Sequence, residues 1–203
     1  MPRPKKTAAQ LEATREKILD AALSILQARG YEAITSRAIA EDLGIAHMSL
    51  FTYFENHAAI LRALRERELS KWRAQEQGFV QRATSENVTQ VVEDFLRYHI
   101  DFARENPNLY KLAWVMPEIG MESPAESLQR MRATVEHLAG LLQLGMASGV
   151  FENREPSLAA GTALAMLNTP HTLFHSGKLV DPIMRDQMVD EVFSIIMNYL
   201  KKK

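Results

Sequence analysis

Residues 35–57 read TSRAIAEDLGIAHMSLFTYFENH. Thr35 has the short polar side chain of a helix N-cap, and helical spacing runs from Ser36 to Leu43, where Gly44 breaks it. A second short helix is expected from about Ala46 to Tyr53, and Asn56 can cap a longer one starting at His57. Two helices that cross near 90–120° through a short turn need a small residue where they touch; Ala40 supplies it. The turn needs a residue tolerant of positive φ, and Gly44 supplies that. Ile39, Leu43, Ile45 and Leu50 are apolar where the pair must pack on a preceding helix. The second helix of such a pair can lie in a DNA major groove. Taken alone, Ala-x₃-Gly-x₅-Leu also fits an ordinary helical hairpin. The stretch carries one Arg, Arg37, and no Lys, so its link to nucleic acid has to rest on more than charge.

The surrounding chain reads as helix throughout. A first helix is expected from about Ala8 to Ala28, opened by a capping box of Thr7 and Gln10 and closed by Gly30. The helix from His57 extends to about Gly78, and QRATSENV marks a boundary after it. Further helices are expected over about 88–105, 107–115, 125–147, 156–175 and 183–200, with Pro170 inside the one over 156–175. The expected fold is all-α: an N-terminal three-helix unit over residues 1–56, with a basic arm at Arg3, Lys5 and Lys6, and a larger helical domain over 57–203 entered through the helix at 57–78.

The 203 residues are 46% hydrophobic, enough to bury a core, and contain no Cys, which excludes disulfides and thiolate metal sites. The net charge of −1 hides an asymmetry. Residues 1–75 hold 12 Lys and Arg against 9 Asp and Glu, and residues 76–203 hold 12 against 16. The excess of positive charge at the N-terminal end favours nucleic acid there. The basic N-terminus lacks the apolar run of a secretory signal, so a cytoplasmic location is expected. The charge-free stretch 156–177 is long enough to raise a membrane span, but Asn168, Pro170, His171 and His175 make it read as a buried semi-polar helix.

TREKILDAALSILQARGYEAITSRAIAEDLGIAHMSLFTYFENHAAILRAL, residues 14–64, resembles the N-terminal domain of the tetracycline-repressor (TetR) family of transcriptional regulators nearly without gaps. The resemblance implies a homodimer, joined through its last two helices, that represses from a roughly palindromic operator. A small ligand entering the C-terminal domain would release it. Catalysis and a cofactor are not expected. The resemblance also implies that Thr35 and Ser36 bond phosphates at a helix N-terminus and that Arg37 reaches the groove, where guanine is the usual partner of Arg. His47, Met48 and Ser49 would face base edges, with Thr52 joining them, and Tyr53 and His57 would hold phosphates. Phe51 stands between groove lining and core edge. Three positions depart from the family's usual residues: Ala46 replaces a Ser or Thr cap, Phe51 a Tyr, and His57 a Lys. Each departure weakens the expected grip on DNA.

In the C-terminal part, aromatics and methionines gather on the helical stripes. Ordinary core accounts for most of them. A pocket reading selects Phe95, Tyr98, His99, Phe102, Tyr110, Trp114, Met131, Met166, Asn168 and His171, with His137 as a further polar handle. No excess of buried charge is evident, which points to an apolar or weakly polar effector. The competing class is a helical metal-dependent enzyme, or a ligand-binding module without DNA function. Its support is His171 and His175 at i, i+4, a zinc-chelating spacing. No third ligand can be assigned, and no H-E-x-x-H, G-x-S-x-G or phosphate-binding glycine loop is present.

Overall fold

The computed structural model of the chain describes residues 7–115 and 124–202, and only the backbone of 124–131. The arm at Arg3, Lys5 and Lys6 and the side chain of Met131 therefore lie outside the described residues. Eight α-helices follow in order among them: α1 (Ala8–Arg29), α2 (Ser36–Asp42), α3 (His57–Arg82), α4 (Val88–Glu105), α5 (Pro107–Tyr110), α6 (Pro124–Ala147), α7 (Pro156–His175) and α8 (Pro182–Leu200). The sole extended pairing among them is a single bridge between Phe151 and Lys201.

Caps written into the sequence set the boundaries. Thr7 and Gln10 form the reciprocal box at the start of α1, and Gly30 ends it at φ 83°. The Ala38 amide donates to Thr35 Oγ1 at 3.1 Å, and the Ala59 amide to Asn56 Oδ1 at 2.9 Å. Glu155 and Asp181 cap α7 and α8, each followed by a Pro at the first helical position, where a missing N–H costs nothing. Helix α7 continues past Pro170 to His175.

Two elements differ from the sequence reading. The segment expected as an α-helix over 46–53 is a 3-10 helix, His47–Thr52. Ala46 provides no side-chain cap, and the first turn closes through an i→i+3 bond, Ser49 amide to Ala46 carbonyl, at 2.8 Å. The helix expected over 107–115 is α only to Tyr110, then widens into a π-helix over Lys111–Val115.

Two apolar cores form. The N-terminal one joins Ile18, Ala22, Ile25 and Leu26 of α1 with Ile39, Leu50, Phe54 and the first turns of α3. Leu112 of the π-helix, fully buried, completes it. The second core packs α4 against α6, α7 and α8 through Val92, Phe95, Leu96, Leu138, Leu142, Ala163 and Ile196. Helix α3, at 26 residues about 39 Å long, contributes to the first core with Ile60, Leu61 and Leu64 and reaches the second with Phe79. Arg67 ties it to α1 through Glu16 (2.9 Å) and Asp20 (2.8 Å).

Candidate nucleic-acid interface

The N-terminal core holds α2 and the 3-10 helix as a rigid pair. Ile39 and Ala40 are buried in α2, and Leu50 is the one fully buried residue of the 3-10 segment. Gly44 turns between them at φ 63° with open space where a Cβ would stand. The constraint on this residue is therefore backbone conformation. The Ile45 amide donates to the Ala40 carbonyl at 3.0 Å, which fixes the crossing.

This packing leaves one polar surface outside. Thr35 and Arg37 are exposed and Ser36 is half-buried. Among the described residues no acid pairs with Arg37. In the next element Met48 is 70% exposed, Thr52 is exposed, and His47, Ser49, Phe51 and Tyr53 are half-buried. The rings of His47 and Phe51 meet edge to face at 5.3 Å, so Phe51 packs partly on its neighbour rather than in the core. At the start of α3, Nε2 of His57 lies 2.9 Å from the Ile34 carbonyl. That contact orients the ring and leaves Nδ1 for a partner outside.

One residue that the sequence reading missed supports this face. The Arg15 guanidinium donates to the Tyr53 carbonyl and lies over the Phe54 ring at 4.2 Å. It fastens the end of the 3-10 segment to α1. Its position on the outer side of α1 gives no periodic signal, because the contact is made by the head of a long side chain.

The C-terminal candidates fall into two groups. Trp72 of α3 stacks on Tyr98 at 5.8 Å and meets His99, Phe102 and Trp114 at 4.6, 5.2 and 5.5 Å. Phe95 lies in the core beneath, 4.8 Å from His99. The second group surrounds Tyr110, whose hydroxyl donates to Asn168 Oδ1 at 3.1 Å and lies 3.2 Å from Thr172 Oγ1. Burial pushes the Tyr110 hydroxyl up to about 12. His171, 1% exposed, has no hydrogen-bond partner on either ring nitrogen. Burial first, and then His175, Arg185 and Arg104, bring it down to about 4, so it is neutral near pH 7. Met166 is partly buried and packs against the second core. Among the described residues no three His, Cys, Asp or Glu are placed to hold a metal, and no helix is long and apolar enough to cross a membrane. Glu76 and Arg65, absent from the sequence candidates, are buried at 0% and 1% exposure, where the sequence itself shows no excess of buried charge.

Residues 18–64 match the family described as bacterial regulatory proteins, tetR family. The nucleoid occlusion factor SlmA of Mannheimia succiniciproducens is 27% identical over 117 residues, 55% of this chain and 53% of that protein. The HTH-type transcriptional regulator YvkB of Bacillus subtilis is 37% identical over 51 residues, 25% of this chain and 27% of that protein. The chain thus spans only part of the curated relatives it matches. A TetR-family regulator from Pectobacterium atrosepticum shares the fold with a TM-score of 0.78 at 19% identity, over 97% of this chain and 99% of that one. The same fold holds choline in a regulator from Saccharomonospora viridis (TM-score 0.73, 16% identity, 95% and 100% covered). It holds stearoyl-CoA in FadR of Bacillus subtilis (TM-score 0.65, 19% identity, 91% and 98% covered). The fold is that of these solved regulators, and the exposed helix-turn-helix face lies within the matched segment. Residues 18–64 thus carry the N-terminal domain of tetR-type bacterial regulatory proteins.

Proposed function

We propose that this regulator is a ligand-responsive repressor that binds a palindromic operator as a homodimer and leaves it when a small molecule enters the C-terminal domain. The observation that carries the reading is the solvent-facing set Thr35, Arg37, Met48 and Thr52, mounted on a helix pair whose other face is locked into the N-terminal core. Thr35 and Ser36 bond phosphate, Arg37 and Met48 meet base edges, and His47, Ser49 and Thr52 flank them. Phe51 contributes apolar contact. Tyr53 and His57 grip the backbone at the far side.

Large apolar side chains on α7 and α8 support the dimer: Leu158 and Ile183 are each 68% exposed, Met184 50% and Ile195 43%. Such exposure on two adjacent helices calls for a covering partner. A two-fold dimer sets two recognition segments about one DNA turn apart, or a multiple of it. In this reading residues 1–56 read DNA and 57–203 bind the effector and the second subunit, although Ile60, Leu61, Leu64 and Leu112 pack into the N-terminal core. Neighbours of the same fold hold ligands as different as choline and stearoyl-CoA, so the effector has to be read from this chain's own interior.

Selection from random DNA followed by footprinting tests the proposal. Two protected half-sites related by a dyad, with a dimer as the mass of the free protein, are expected. A single unsymmetrical footprint from a monomer would overturn it.

A further inference from the structure

Helices α3, α4 and α6 meet around one carboxylate. Glu76 of α3 is 0% exposed. Its Oε2 lies 2.9 Å from His137 Nδ1 and accepts from the Thr134 hydroxyl at 3.3 Å. Its Oε1 lies 3.1 Å from His99 Nε2, but the two are not aligned for a hydrogen bond, and neither atom has another partner. One turn earlier on α3, the buried Trp72 Nε1–H also has no acceptor. Native interiors satisfy nearly all their buried polar groups, and a local concentration of orphans asks for a missing partner. An acceptor, a donor and an imidazole nitrogen on contacting side chains are left open together.

Charge and surroundings narrow that partner's chemistry. No Lys or Arg among the described residues pairs with Glu76. Burial and, next, the negative charge of Glu76 push the Tyr98 hydroxyl up; it stays protonated and donates to the Trp72 carbonyl at 3.2 Å. His99, beside the carboxylate, meets the Trp72 ring at 4.6 Å, and Trp72 in turn meets the rings of Tyr98, Phe102 and Trp114. Aromatic faces attract cations, most strongly where water is excluded. An anion would meet Glu76 as a like charge, whereas an ammonium ion brings a cation to a carboxylate faced, among the described residues, by the imidazoles of His99 and His137.

We propose that the effector of this chain is an organic ammonium ion on an apolar body. Its N⁺–H donates to Glu76 Oε1, its charge faces Trp72 and the neighbouring rings, and an oxygen elsewhere on the molecule accepts from Trp72 Nε1–H. The inference deepens the ligand-responsive reading above and rests on it for its regulatory meaning.

The two tryptophans of the chain are Trp72 and Trp114, so intrinsic fluorescence reports on this place directly. The full chain is titrated with 4-phenylbutylammonium, 4-phenylbutanol and 4-phenylbutyrate, which share a body and differ in the head group. The ammonium ion is expected to give a saturable fluorescence change and to bind at least about tenfold tighter than the alcohol, with the carboxylate weakest. In Glu76→Gln the preference for ammonium over alcohol disappears. Equal or tighter binding of the alcohol or carboxylate, no saturable response to the ammonium ion, or an undiminished preference in Glu76→Gln would each overturn the proposal. If Glu76→Gln does not fold, the three-probe ranking on the native chain decides alone. Anisotropy of labelled operator in the same titration separates the two readings. Ammonium binding without DNA release overturns the effector role and leaves the site. DNA release by another compound class, with no ammonium binding, overturns the site and leaves the ligand-responsive reading.

Discussion

Arg37 is the one cation of the helix-turn-helix stretch, and its surroundings suit it to a partner outside the molecule. It is exposed near the start of a capped helix, with no acid paired to it among the described residues. Arg37→Ala is expected to cost about 1–3 kcal/mol at one base position and to relax the preference there. Affinities for operators substituted base by base check this, and an equal loss on every sequence would assign Arg37 to phosphate instead. His171 allows a prediction about stability. It stands at about 4 in the folded chain, below its ordinary 6.5, so the unfolded chain takes up the proton first as pH falls. Its contribution is complete above 6.5 and declines from there to about 4. At pH 5 this amounts to about 2 kcal/mol for one such group. His171→Leu should therefore narrow the loss of stability between pH 7.5 and 5 by that amount, measured by chemical denaturation at both values. An unchanged difference would mean that His171 titrates normally.

At the scale of elements, the 3-10 segment His47–Thr52 is the weak member of a well-capped set. Thr7, Thr35, Asn56, Glu155 and Asp181 each satisfy orphan amides at a helix start, and Ala46 does not. Ala46→Ser should stabilise the segment by roughly 0.5–1 kcal/mol, visible as slower amide exchange over 47–52. Unchanged exchange would show that the missing cap does not limit its order. These same caps explain why helix boundaries were legible. Thr, Asn, Asp or Glu before a helical run, and Gly after it, act locally and need no tertiary knowledge. The 3-10 geometry of His47–Thr52 was not legible, because six residues do not separate a period of 3.0 from one of 3.6. Glu76 was missed for a related reason. It continues the inner stripe of α3 after Leu69 and Trp72, but a carboxylate in an apolar stripe looks like an exposed residue until His99 and His137 arrive from other helices. The exposed face at Arg37, Met48 and Thr52 could be read because the apolar positions around it fix which side turns inward.

Across the whole molecule, the two cores are joined by two connections. Helix α3 contributes to both. The segment from Pro107 to Val115 does so within a few residues, since Leu109 and Leu112 belong to the N-terminal core while Tyr110 bonds Asn168 on α7 and Trp114 stacks on Tyr110 at 5.1 Å. A change around Trp72 and Trp114 is therefore two residues from a side chain, Leu112, in the core that supports α2 and the 3-10 segment. This gives the proposed effector site a short covalent route to the interface. The central claim remains that the face built on residues 35–57 reads DNA sequence. The most direct test measures affinity of the full chain for a selected palindrome and for the same duplex with one half-site scrambled, at physiological salt, where non-specific phosphate contacts are weakened. The account predicts that the intact palindrome binds at least about a thousandfold tighter than random DNA, with a large part of that lost on scrambling one half. Equal affinity for palindrome, half-site and random DNA would contradict it.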